Sequence, residues 1–249
     1  MNPKRSIFIL GVVLVLVAAC MFSTSSAFAP AKSSNGSRNE STPILFQAAG
    51  PSPSSIQSSV DAYRTQLGTL NPNVAGSFGG GRREINWDAV PDMFSAPNNL
   101  PANFFNVNSP RGVIFTTTGS GFQVSAKTGN PTNTPVEFGN INPTYPDLFN
   151  VFSPQRLFTA LDSNTLVVHF FVPGSNTPAI THAFGSVFTD VDLAADKARC
   201  GRAHHTQIDF LMRQGELFLK VRFLLQPATA VSHFSAHSFL TMRSPPYES

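Results

Sequence analysis

Charged side chains are scarce, at 12% of 249 residues, and there are two cysteines and a single tryptophan. So little charge excludes long charged helices, coiled coils, helical repeat arrays and acidic or basic disordered chains, all of which need far more Glu, Lys and Arg. The formal charge of +3 is spread along the chain with no basic stripe, so nucleic acid is not expected as a partner. Cys20 falls within an N-terminal apolar run and leaves Cys200 alone in the body of the chain. An internal disulfide and a Cys-rich zinc site are both excluded. Also missing are a Gly-x-Ser-x-Gly elbow, a P-loop, a dinucleotide fingerprint and His-Glu-x-x-His. No catalytic signature stands out, and the expectation is a protein that is not an enzyme.

Phe at 23, Pro at 20 and Gly at 17 are abundant instead. At the N-terminus, Lys4 and Arg5 precede an apolar run from Ile7 to Phe22. That run is shorter than the roughly 20 residues of a bilayer-spanning helix and suits an export signal over residues 1–29. Three outcomes stay open. Val17-Ala18-Ala19-Cys20 resembles a lipobox, with Cys20 as the lipidation site; Ala27-Phe28-Ala29 offers an ordinary cleavage site; or the segment stays uncleaved as an anchor. All three place the body outside the cytoplasm, as a membrane-anchored lipoprotein or a secreted protein. The membrane is a partner through the N-terminus if Cys20 is lipidated or the signal is retained.

Residues 30–59 are rich in Ser, Pro, Ala and Asn and are expected to form a disordered linker. Ile56, Val60, Tyr63 and Leu67 recur at helical spacing, and Gly68 is placed to stop one short helix. From Asn71 onward, short apolar runs are separated by Gly, Pro, Asn and Asp at intervals suited to an all-β sandwich or barrel. Strands are expected over 112–117, 122–126, 165–172, 183–189 and 207–211. The run Leu166 to Val172 reads as a strand buried on both faces, broken by Pro173-Gly174. The Phe residues are core material first, because each ring buries a large area.

Trp87 sits among polar neighbours in Arg82-Arg83-Glu84-Ile85-Asn86-Trp87-Asp88 and is the candidate for stacking on a sugar ring, with Arg83 beside it as a ligand-binding residue. Asp88 and Asp92, joined by Asp190 and Asp192 from a later strand, could supply the oxygen donors that Ca2+ prefers. Calcium is therefore the one candidate cofactor. The competing reading is that these carboxylates cap turns and pair with Arg82, Arg83 or Arg111. His204, His205, His233 and His237 resemble metal ligands but fall in or near an aberrant tail, and His169 is expected to be a satisfied histidine in its strand. Glu84 with Asp190 is the carboxylate pair an extracellular hydrolase would use.

The segments Arg82 to Asp88, Asn108 to Gly112, Arg156 to Thr159, Phe171 to Gly174 and Phe184 to Asp192 carry a resemblance. They are similar to a family of exported bacterial proteins of unknown function with a GRREINWDG core and an FTDVD motif, some associated with PEP-CTERM sorting signals. Ala89 stands where Gly is usual in that core. The resemblance spans about Gly68 to Leu193 and implies a mostly β, jelly-roll-like antiparallel sandwich outside the cytoplasm, with no activity implied; the β-domain as a whole is expected over residues 60–220.

The tail departs from this pattern. Asn is frequent from Asn71 to Asn176 and absent afterwards, and no Gly follows Gly215, although a β-domain needs turn residues. Shifting the reading frame near Val221, with permitted synonymous codons, gives a segment with a Gly-Asn-Gly-Gly turn and a Val-rich strand. Residues 221–249 are accordingly read as an aberrant, frameshifted tail, with a divergent native tail as the alternative, and the sandwich is expected to be incomplete at its C-terminus. The functional expectation is a non-enzymatic cell-envelope or extracellular protein that binds a glycan or another envelope component. Its alternatives are an extracellular hydrolase and a frameshifted product without activity.

Overall fold

A computed structural model describes residues 44–189, 207–213, 216–222 and 234–241. The chain is mostly β, with antiparallel strands in small sheets and few helices. Strand β1 (Ile44–Gly50) leads into α1 (Pro53–Leu67), the longest helix among the described residues. Two single 3-10 turns, Trp87–Ala89 and Asp92–Phe94, precede the four-residue helix α2 (Phe104–Val107). Then come β2 (Val113–Thr117), β3 (Gly121–Val124), a second four-residue helix α3 (Tyr145–Leu148), β4 (Phe158–Leu161), β5 (Thr165–Phe170) and β6 (Ala183–Phe184). The last described strands are β7 (Gln207–Arg213), β8 (Glu216–Arg222) and β9 (Phe234–Thr241).

The described strands form three sheets, in the orders β2-β5-β8-β7, β3-β4 and β1-β9-β6. In the first sheet Phe115 faces Val168 and Val113 faces Phe170. Because side chains alternate between faces of a strand, this register places Val113 and Phe115 beside Leu166 and Val168 on one face, and all four are buried. The opposite face carries Ile114 and His169 in register. There the Thr116 hydroxyl and the His169 Nε2 lie 2.8 Å apart, so the histidine is satisfied, as expected.

The main core draws on β2, β3, β4 and β5 together, with Phe104 and Phe105 from α2 and with Trp87 and Leu100 from the preceding loops. Fully burying one such side chain is worth about 1.5–3 kcal/mol, so this aromatic cluster dominates the packing. Phe115, Phe122 and Phe158 lie within 5.8 Å of one another, centroid to centroid. A second cluster packs Ile56, Val60 and Tyr63 of α1 with Val187, and half-buried Phe46 and Ala48 of β1 flank it. A third joins Phe138, Phe149 and Leu157, next to α3.

Strands expected over 112–117, 122–126, 165–172 and 207–211 are present with small changes of boundary. Four expectations need correction. The stretch taken as a disordered linker over 30–59 is structured from Ile44 on. Pro53 opens α1, the Ser52 N–H donates to the Ser55 Oγ at 3.3 Å, and Ile56 is fully buried. Strand β6 covers only 183–184 of the expected 183–189. The 166–172 run is not buried on both faces: Leu166 and Val168 point into the core, whereas Val167, His169 and Phe170 are half-buried. Strands β1 and β9 both lie outside the 60–220 span expected for the β-domain, and they pair with each other.

Candidate functional site

Trp87 is placed by a local device. The Asn86 side-chain oxygen accepts the Asp88 N–H at 3.0 Å and starts the 3-10 turn Trp87–Ala89, in which the indole is buried while Asn86 and Ala89 are exposed and Asp88 is half-buried. The ring stacks on Phe158 at 4.3 Å and 3° and takes the edge of Phe105 at 5.2 Å and 88°. It is 5% exposed. A platform for a sugar needs an open face, so the expectation that Trp87 stacks on ligand is corrected: its polar sequence neighbours mislead, and the ring belongs to the core. Its Nε1–H is buried without an acceptor among the described residues.

Asp88 and Asp92 have structural partners. Asp88 Oδ1 accepts the Ser153 hydroxyl at 3.2 Å and the Gln155 N–H at 3.1 Å, which pins the loop before β4. Asp92 Oδ1 meets the Arg156 guanidinium and lies 3.5 Å from Lys127 Nζ. Arg156 is the largest fully buried side chain among the described residues, and it also donates to the Ser125 carbonyl at 3.1 Å. The turn-and-ion-pair reading of these two carboxylates therefore describes what they do, with Arg156 and Lys127 in place of the arginines anticipated. As a calcium ligand Asp92 is a poor fit, because a third cation there meets repulsion from Arg156 and Lys127. Asp190 and Asp192 lie outside the described residues. Among the described residues no group of three His, Cys, Asp or Glu side chains is arranged to hold a metal ion.

The polar group around Glu84 is different. Glu84 accepts from Arg64 Nε at 2.9 Å, Arg64 Nη2 at 3.1 Å and Arg82 Nε at 2.6 Å. Burial pushes its pKa up, but the hydrogen bond from Arg82 and the charge and hydrogen bonding of Arg64 outweigh that, so the carboxyl is held below its usual range. A general acid needs the opposite shift, so this arrangement does not favour Glu84 as the proton donor of a hydrolase.

Arg83 and Arg111 stand beside this network. Arg83 donates to the carbonyls of Gly76 at 2.7 Å, Pro110 at 2.8 Å and Val74 at 3.5 Å, and its guanidinium lies 5.0 Å from the centre of the Phe78 ring. Arg111 makes one long hydrogen bond, 3.4 Å to the Asn71 carbonyl. Both side chains are half-buried, and among the described residues neither has a carboxylate at ion-pair distance. Burial lowers the pKa of each; repulsion from Arg111 lowers that of Arg83 further, while Glu84 acts in the opposite sense on Arg111. Phe78 and Val74 beside them are exposed, at 41% and 50%. Of the four guanidiniums of Arg64, Arg82, Arg83 and Arg111, those of Arg64 and Arg82 are the ones paired with carboxylates among the described residues, Arg64 with Glu84 and Asp61 and Arg82 with Glu84.

Sequence reasoning anticipated Arg83 but gave Arg111 no binding role. The available signal was its setting in Asn108-Ser109-Pro110-Arg111-Gly112, where Pro110 restricts the backbone before it and Gly112 adopts φ +76° after it. Arg156 enters the sequence reading only within the Arg156–Thr159 segment of the resemblance and with no role, since nothing in Gln155-Arg156-Leu157-Phe158 marks a buried charge. Cys20, His204, His205 and His233 lie outside the described residues, and His237 lies in β9. No helix among the described residues is long and apolar enough to cross a membrane. No family model, curated protein or solved structure matches the chain.

Proposed function

We propose that this chain is an exported, non-enzymatic protein of the cell envelope or extracellular space, built as a jelly-roll-like β-sandwich, that binds a glycan or another envelope component. The observation that carries the reading is the corner formed by Arg83, Arg111, Phe78 and Val74. Two half-buried cations without carboxylate partners among the described residues sit beside exposed apolar side chains, a combination suited to a ligand with polar groups and apolar ring faces. Beside it stand the apolar run Ile7 to Phe22 behind Lys4 and Arg5, read as an export signal, the resemblance carried by the Arg82–Asp88 and Phe184–Asp192 segments, and the shared core of β2–β5. Calcium stays in the proposal as an ion held by Asp88, Asp190 and Asp192, since Asp92 is taken by Arg156 and Lys127.

A glycan array with the full chain tests the proposal, accompanied by calorimetry with Ca2+ and by an assay for released sugars. Binding without turnover supports the reading, and stabilisation by Ca2+ adds the ion to it. Turnover lost in Glu84→Gln contradicts it in favour of a hydrolase.

A further inference from the structure

The reading above leaves the kind of glycan open, and the arginine corner narrows it. A guanidinium has five N–H donors in a planar fork. Arg111 uses one of them, at 3.4 Å, so most of its hydrogen-bonding capacity has no acceptor among the described residues. Arg83 is anchored by three backbone carbonyls, from Val74, Gly76 and Pro110, which fix its head group in place. Pro110, whose carbonyl accepts from Arg83, is the residue before Arg111, and the charge of Arg111 is felt at Arg83. Two such cations repel one another and have lost part of their hydration, and an anion between them relieves both costs.

Resting on the glycan-binding reading, we propose that Arg111 and Arg83 bind the carboxylate of an acidic polysaccharide, while Phe78 and Val74 pack against the apolar edge of its sugar rings. The planar fork of a guanidinium matches a carboxylate in two-point geometry, which a hydroxyl of a neutral sugar cannot reproduce. Arg64 and Arg82 are already engaged by Glu84 and serve to hold the corner in shape rather than to meet the ligand.

Titration calorimetry on the purified full chain tests this with three probes: oligogalacturonate, its methyl ester and a neutral cello-oligosaccharide. Oligogalacturonate is expected to bind, more weakly as salt is raised, and the methyl ester to bind far less or not at all. Arg111→Gln should weaken oligogalacturonate binding by about tenfold or more, with an unchanged melting temperature, and Arg111→Lys should fall between. Equal binding of acid and ester by the unaltered protein overturns the proposal without recourse to any variant, as does a folded Arg111→Gln protein of unchanged affinity. In either case binding of the neutral sugar keeps the glycan reading alive. If a full glycan array and all three probes give no binding, both the proposal and that reading fall.

Discussion

Replacing Asp92 by Asn leaves the Arg156 guanidinium, fully buried, without a carboxylate at ion-pair distance among the described residues. Removing one partner of a buried ion pair costs about 3–5 kcal/mol, because the remaining charge loses its compensation and cannot regain water. Asp92 is 27% exposed, so solvent already screens part of the attraction, and the cost of Asp92→Asn is expected at about 2–3 kcal/mol. For a chain of this size that amounts to a fall of roughly 5–10 °C in melting temperature. Thermal unfolding followed by circular dichroism reads it directly. In an Arg156→Met background the same change should cost less than about 0.5 kcal/mol, since the charge that Asp92 serves is gone. The pair of experiments also separates two roles for Asp92. As an ion-pair partner it gives a loss that is indifferent to chelators and absent in the Arg156→Met protein. A loss that persists in that background, or a loss below about 0.5 kcal/mol in the parent, refutes the reasoning.

Trp87, the one tryptophan, should show a blue-shifted emission that is poorly quenched by acrylamide and unmoved by added sugars; a solvent-exposed spectrum contradicts its place in the core. Trp87→Ala is expected to cost about 3–5 kcal/mol, measured by denaturant unfolding. Glu84→Gln should be less stable than the parent at neutral pH. Because the folded-state pKa of Glu84 is depressed, its stabilisation is present above the unfolded carboxylate pKa and lost as pH falls through the folded value. The difference between parent and variant should therefore shrink on acidification below about 4.5, and a gap that is independent of pH contradicts the ion-pair account. Gly112→Ala places a Cβ against the Phe171 carbonyl oxygen at a backbone φ of +76°, and a loss of more than about 1 kcal/mol is expected in the same unfolding assay.

Much of the β-structure was legible because its signals are local. Phe115 and Val113 alternate with less buried neighbours, and Ile56, Val60 and Tyr63 repeat at helical spacing, so β2 and α1 announce themselves. Strand β1 does not, because its partner is β9, with Ile44 opposite Thr241, and a Ser/Pro-rich context conceals a segment whose pairing is remote in sequence. Strand β5 was over-read: Val167 and Phe170 are apolar although half-buried, which hides the alternation of its two faces. The site was legible in part. The Arg82–Asp88 segment does carry the polar network, but the Asn86 cap that turns Trp87 inward reverses the role that its neighbours suggested. Burial of Arg156 depends on Asp92, 64 residues away, and single-chain patterning gives no hint of that pairing.

Hydrogen exchange with and without a bound oligosaccharide from the array tests the central claim most directly, since it locates the contact on the folded chain. Slowed exchange is expected in residues 71–83 and 106–112, where the backbone carries Phe78, Arg83 and Arg111, with the core strands β2 to β5 unchanged. Slowed exchange confined to other segments, or release of cleaved sugar during the measurement, would contradict a binding protein that reads its ligand through this arginine corner.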